Sequence, residues 1–181
     1  ELLAPLAGLA FETFNFDQFD LVISVTSADA KTVITKPGTL HLCYCLTPTR
    51  YLWNGVDEYR RFFGFDFLFN LFLKYARRAD LVYASRPDQY LAISKEVSQR
   101  IAKYYDRKSE IIYPPINYEF FSKTRYLKKG DFYLVVTRLV PYKKIDIVIE
   151  AFNQTKKRLL VIGAGSEEKK LKSHARENIE F

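Results

Sequence analysis

Short apolar runs alternate along this chain with amphipathic stretches. The runs are rich in β-branched residues and end at Gly, Pro or polar clusters, as buried strands do. Strands are therefore predicted at residues 20–25, 40–46, 90–93, 110–113, 132–137, 158–162 and 178–181. Ile145, Val148, Ile149 and Phe152 recur at i, i+3, i+4 and i+7, which predicts an amphipathic helix. Strand and helix in alternation predict an α/β fold with parallel sheets.

Further helices are predicted between the strands. Residues 26–34 suit a short helix, and residues 56–83 suit one or two helices with a kink near Gly64. Ser94 has the side chain of an N-cap and precedes a third helical stretch. The last helix is predicted at residues 167–176. Each helix lies between two predicted strands, as parallel pairing requires.

The clearest break in the pattern is Lys128-Lys129-Gly130-Asp131, after which the alternation starts again. We therefore predict three parts. Residues 1–116 form the carboxyl-terminal part of one α/β domain, residues 117–131 a linker, and residues 132–181 the first part of a second α/β domain. Neither domain is expected to be complete.

The composition predicts a packed core, because 48% of the residues are hydrophobic. No apolar run reaches the ~20 residues that span a bilayer. The richest, Phe62 to Leu73, is interpreted as a buried helix, with a membrane-facing surface as the alternative. No basic leader is visible at the start of the chain, which also has no initiator Met. A cytoplasmic protein is expected because Cys43 and Cys45 are interpreted as reduced core thiols.

The sequence predicts no metal site. Cys43 and Cys45 are its only cysteines, and the absence of a Cys-x-x-Cys pair argues against structural zinc. We expect the two thiols on opposite faces of a strand, reduced and unable to bridge easily. The net charge of +7 suits phosphates or anionic membranes, and no nucleic-acid motif is recognised.

The segment from Arg138 to Lys144 is the most informative. It follows a predicted strand directly and opens a predicted helix. Open α/β sheets bind ligands at the carboxyl ends of their strands. Two cations beside a helix N-terminus predict a diphosphate site there. Arg138 would donate paired hydrogen bonds to phosphate oxygens, and Lys143 would supply a compact positive charge. The alternative is a solvated basic loop.

Three stretches, in order, resemble family 4 glycosyltransferases. The start of the family's C-terminal domain resembles FYLVVTRLVPYKKIDIVIEAF and RLLVIGAGSEEKKLK. The segment leading into the family's linker is similar to YLAISKEVSQRIAKYYDRKSEIIYPPINYEFF, and the mannosyltransferase branch resembles HLCYCLTPTRYLW. The resemblance implies a GT-B fold: parts of two Rossmann-like domains, the first on the acceptor side and the second binding a nucleotide sugar.

The resemblance also implies an activity and a site. Arg138 and Lys143 would hold the donor diphosphate and stabilise the charge of the leaving group, without a metal or other cofactor. The implied enzyme is a retaining hexosyltransferase of polysaccharide synthesis, with GDP-mannose favoured as donor and a glycan or lipid-linked acceptor. Gly163 and Gly165 are expected in a strand-to-helix turn near the donor. Apart from the resemblance, the positive net charge and the apolar segment Phe62 to Leu73 predict peripheral contact with the inner face of an anionic membrane.

The chain departs from the family in the acceptor region. The family's usual His is Leu46 in this chain, and His41 is a candidate substitute, with a core or strand-end histidine as the alternative. Arg50 either binds a phosphate or makes a surface salt bridge. Tyr51 either lines an acceptor groove or packs in the core. In the donor loop, Lys144 stands where the family usually has Gly.

Two family elements are not found, a Gly-rich loop and Glu-x7-Glu, so the chain resembles a fragment that lacks both ends. We expect the fragment alone to be inactive. Two other functions remain open: a different GT-B sugar-nucleotide enzyme such as an epimerase, and a non-catalytic basic binding domain.

Overall fold

The computed structural model describes residues 7–56, 66–122 and 130–181. It divides into two compact units, Glu1–Ile116 and Asn117–Phe181. Both are α/β, and all strand pairs described in them are parallel, which confirms the predicted fold class. The predicted kink near Gly64 lies outside the described residues, as do the two lysines of the predicted linker signal.

The first unit is a four-stranded sheet with helices between its strands. Its elements are α1 (Ala7–Glu12), β1 (Leu21–Thr26), a 3₁₀ turn (Ala30–Thr32), β2 (Leu40–Cys45), α2 (Arg50–Trp53), α3 (Asp66–Ala84), β3 (Gln89–Ala92), α4 (Lys95–Tyr105) and β4 (Ser109–Ile111). The strand order is β1-β2-β3-β4. Parallel pairing brings the carboxyl ends of β1 and β2 together, with Thr26 opposite Cys45.

Cys43 and Cys45 point to the same face of β2, so the expectation of opposite faces was wrong. Side chains along a strand alternate with period two, which puts residues i and i+2 on one face. Both thiols are free and buried. They belong to a core cluster that also contains Tyr90 and Ile101.

Helix α4 begins where the sequence predicts. The Ser94 side chain accepts a hydrogen bond from the Val97 amide at 3.2 Å, which satisfies one of the amides left open at a helix start. Residues 26–34 form only the three-residue 3₁₀ turn instead of the predicted helix. Val33 and Ile34, which follow the turn, are β-branched and poor helix formers, and so short a helix is costly to nucleate.

The second unit is a three-stranded sheet in the order β5-β6-β7. Its elements are α5 (Tyr118–Ser122), β5 (Tyr133–Val136), a 3₁₀ turn (Pro141–Lys143), α6 (Ile145–Thr155), β6 (Leu159–Ile162), α7 (Glu168–His174) and β7 (Ile179–Glu180). Helices α6 and α7 contribute Ile145, Ile149 and Leu171 to its core. Helix α5 lies inside the predicted linker, where five residues are too few to show a period.

Candidate active site

The segment with the two predicted cations joins β5 to α6. Arg138 stands two residues after the end of β5, Lys143 ends the 3₁₀ turn, and α6 begins at Ile145. Both cationic side chains are exposed. The strand–loop–helix order predicted from the sequence is therefore confirmed, and the loop lies at the edge where α/β sheets bind ligands.

Tyr142 contacts both cations. Arg138 Nη2 donates a hydrogen bond to the Tyr142 hydroxyl at 2.7 Å. Lys143 Nζ lies 5.5 Å from the centroid of the Tyr142 ring, within the range of a cation–π interaction. No role was predicted for Tyr142 from the sequence. Its position four residues after Arg138 and next to Lys143 was the only available signal.

Lys144, the N-cap of α6, has a left-handed backbone with φ of 53°. A glycine adopts this conformation freely, whereas another residue is strained by about 1 kcal/mol. The Gly expected here from the resemblance would adopt this backbone without strain, whereas Lys144 adopts it at that cost. Asp146 in the first turn of α6 is exposed and partly offsets the positive charge of the loop.

Gly163 and Gly165 lie in the loop between β6 and α7 and let it pack directly on the Arg138 loop. A Cβ on Gly163, whose φ is 151°, would overlap the carbonyl oxygen of Thr137, and one on Gly165 would overlap that of Leu139. Between the loops, the Leu139 amide donates to the Ala164 carbonyl at 2.9 Å. The glycines thus have a packing role, and their contact with a donor stays a prediction.

Arg50 and Tyr51 lie at the carboxyl edge of the first sheet, at the start of α2, and both are half-buried. The Tyr51 hydroxyl donates to Asp29 Oδ1 at 3.0 Å, which joins the segments that follow β1 and β2. Burial raises the pKa of the Asp29 carboxyl, and the hydrogen bond from Tyr51 opposes the rise. The placement allows contact with a ligand at this edge, and the acceptor role of both residues stays a prediction.

A buried ion pair connects the segments that follow β1 and β2 to helix α3. Lys31 Nζ lies 2.7 Å from Asp80 Oδ1, and their side chains are 2% and 4% exposed. Lys31 also donates to the Thr49 hydroxyl at 2.8 Å. Asp80 in turn accepts from the Thr49 hydroxyl and from Trp53 Nε1, each at 2.7 Å. Asp80 therefore has a structural role, and Lys31 could not be recognised from the sequence because its partners are distant along the chain.

The placement of His41 speaks against a role in an acceptor cleft. It stands near the amino end of β2, opposite Val22, and is 1% exposed. Its Nε2 shares a hydrogen bond with Ser24 Oγ at 2.9 Å, and its Nδ1 has no hydrogen-bond partner among the described residues. Burial lowers its pKa, more than the nearby Asp88 carboxylate raises it. The geometry is that of the alternative, a core histidine.

No group of three or more His, Cys, Asp or Glu in the described ranges is arranged to hold a metal ion. Within the same ranges, every helix is too short or too polar to cross a membrane. Neither finding tests the predicted metal-free mechanism or the predicted peripheral contact, which stay predictions.

These features define an α/β protein with a cationic loop at the carboxyl end of a parallel strand. Residues 117–179 match the family described as Glycosyl transferases group 1. The match covers just over a third of the chain, all of it in the second unit, and includes Arg138 and Lys143. It supports a Rossmann-like domain of the GT-B type there, and glycosyl transfer from a nucleotide sugar as the general activity. No curated protein matches the chain.

Proposed function

We propose that this chain is part of a retaining hexosyltransferase that moves mannose from GDP-mannose to a glycan or lipid-linked acceptor. One observation carries the proposal: Arg138 and Lys143 are exposed together at the carboxyl end of β5, ahead of α6, and share contacts with Tyr142. Mannose, the retaining outcome and the acceptor rest on the resemblance of the sequence to the mannosyltransferase branch.

The two cations suit the chemistry of a leaving diphosphate. Breaking the bond between the sugar carbon and the phosphate oxygen leaves negative charge on the nucleoside diphosphate. Fixed cations stabilise that charge as it develops in the transition state, which lowers the barrier. Arg138 supplies planar, directional donors and Lys143 a compact charge, so neither replaces the other.

The test is steady-state transfer from GDP-mannose by the protein expressed from its complete reading frame. Lys143→Ala removes one charge-assisted contact, and we expect kcat/KM to fall roughly 10- to 100-fold. Arg138→Lys should also impair transfer, because an ammonium group cannot form the paired hydrogen bonds of a guanidinium group. Lys157→Ala is the matched control, since Lys157 also lies over a tyrosine ring, that of Tyr133.

Each alternative has its own result. Full activity in both site variants would overturn the donor-site assignment. Conversion of the sugar nucleotide without an acceptor would indicate an epimerase, and nucleic-acid binding with a steep salt dependence would indicate a basic binding domain. Transfer only from UDP- or ADP-sugars would show that the donor is not GDP-mannose and would leave the proposed mechanism unchanged. The 181 residues alone should show no transfer.

We further propose that the outer face of α3 rests on an anionic membrane at its cytoplasmic side. Five apolar side chains on this face are exposed: Phe67, Leu68, Leu71, Phe72 and Tyr75. Lys74 and Arg78 are exposed beside them, and the only acidic residue between positions 67 and 84, Asp80, is buried. An apolar stripe flanked by cations is typical of helices that bind anionic lipid surfaces.

A further inference from the structure

We infer that Tyr142 is a positioning residue of the donor site, which orients Arg138 through its hydroxyl and Lys143 through its ring toward one diphosphate. The inference rests on the proposed donor site and adds to it a residue that sequence reasoning left without a function. Its starting point is that one half-buried tyrosine contacts both exposed cations.

The hydroxyl contact defines the direction of the guanidinium. Arginine presents five N–H donors in a fixed plane, and Tyr142 takes up one of them, on Nη2. The remaining donors stay available for phosphate oxygens, and their plane is set by the contact. An exposed arginine otherwise samples many rotamers, which a ligand must restrict when it binds. Tyr142 therefore removes part of the ordering penalty before the ligand arrives.

The ring contact acts on the second cation in the same way. The face of a tyrosine ring is electron-rich and attracts an ammonium group, so Lys143 Nζ is favoured near its position 5.5 Å from the centroid. The hydroxyl oxygen and the ring face also place negative potential beside both cations, which would otherwise repel each other. Tyr142 thus holds both cations against one side chain.

The backbone under Tyr142 is itself restrained. Tyr142 is the middle residue of the 3₁₀ turn Pro141–Lys143, and the ring of Pro141 fixes its own φ at the start of the turn. The Lys143 amide donates to the Val140 carbonyl at 3.0 Å, which closes the turn. The turn therefore fixes the Cα of Tyr142, which limits the positions that its hydroxyl can take.

The experiment measures binding of GDP, and of inorganic pyrophosphate as a minimal probe, to the protein from its complete reading frame by calorimetry. Tyr142→Phe keeps the ring and removes the hydroxyl, and the dissociation constant of GDP should rise about three- to tenfold. Tyr142→Leu also removes the ring and should add a further factor of about two to five. Tyr133→Phe, at the amino end of β5 with Lys157 over its ring, should bind like the wild type.

A double-mutant cycle separates positioning from general structural support. If Tyr142 acts through Arg138, Tyr142→Phe should weaken binding in the wild type and have no effect in an Arg138→Ala background. An equal loss in both backgrounds, or wild-type binding by Tyr142→Phe and Tyr142→Leu, would overturn the inference. If Arg138→Ala and Lys143→Ala themselves bind both probes like the wild type, the donor site is wrong and the inference falls with it.

Discussion

At the residue scale, the two loop glycines and the buried histidine are tightly constrained by their neighbours. The Gly163 and Gly165 positions have no room for a side chain because the backbone of the Arg138 loop occupies it. His41 is enclosed in the first sheet with one ring nitrogen paired to Ser24. A substitution at one of these positions therefore tests a specific contribution to the stability of its unit.

Gly165→Ala should reduce the free energy of unfolding by about 2–3 kcal/mol, because a Cβ would overlap the Leu139 carbonyl and force the two loops apart. Gly38→Ala is the contrast: Gly38 has a φ of 94° but nothing within 4 Å of a Cβ. There only backbone strain acts, about 1 kcal/mol. Urea unfolding of both variants provides the measurement. Equal, small effects would contradict the close approach of the loops.

The buried His41 predicts a pH dependence of stability. Burial holds its pKa in the folded protein below the value of about 6.5 in the unfolded chain. Above pH 6.5 the imidazole is neutral in both states, so its contribution to stability is fully present. As the pH falls below 6.5, the unfolded chain binds the proton first, and stability decreases until the folded-state pKa is passed.

The slope from this one group is at most about 1.4 kcal/mol per pH unit. Because the chain contains only two histidines, each can be tested alone. His41→Gln should lose this part of the slope in urea unfolding between about pH 4 and 7, whereas His174→Gln, at an exposed position, should keep it. An unchanged profile in His41→Gln would show that the histidine does not titrate as its burial implies.

At the scale of single elements, α3 and the β5–α6 connection differ in what their sequences reveal. The connection was predicted correctly, because a strand, a cationic loop and a periodic helix follow one another without interruption. For α3, the apolar residues exceed one helix face, so sequence alone left buried helix and membrane surface as alternatives. The structure buries Phe69 and Leu73 and leaves Phe67 77% exposed.

Vesicle sedimentation tests the proposed surface of α3. The protein should sediment with vesicles containing phosphatidylserine at low salt, and less with pure phosphatidylcholine vesicles or at high salt. Replacing Phe67 and Leu71 together by Ser should reduce binding, because it removes apolar area from the middle of the face. Ile116→Ser, at an exposed apolar position outside α3, is the control. No sedimentation at low salt would remove the membrane proposal and leave the transferase proposal unaffected.

At the scale of the whole molecule, the proposed mechanism uses no divalent metal, because Arg138 and Lys143 supply two cations in the loop proposed to bind the donor. We expect transfer by the enzyme from its complete reading frame to be unchanged in excess EDTA, because in the proposed mechanism Arg138 and Lys143 neutralise the leaving diphosphate. Steady-state rates with and without the chelator decide this. Activity lost in EDTA and restored by Mg²⁺ or Mn²⁺ would contradict the metal-free mechanism.

The sequence by itself determined the α/β class and the position of nearly every strand. These depend on local patterns: β-branched apolar runs for buried strands, a period near 3.6 for helices, and Ser94 as a cap. The cationic loop was located for the same reason, since it stands between two strong local signals. Elements too short to show a period, such as α2 and α5, were missed.

Only the tertiary structure decided which side chains meet. Lys31 and Asp80 form a buried pair, His41 is enclosed in the core instead of facing a cleft, and the loop glycines allow two backbones to touch. Even Tyr142, next to Lys143 in sequence, required the turn geometry before its contact with Arg138 was visible. The physical reason is common to all: local spacing specifies elements, whereas burial and side-chain contacts depend on how the elements pack.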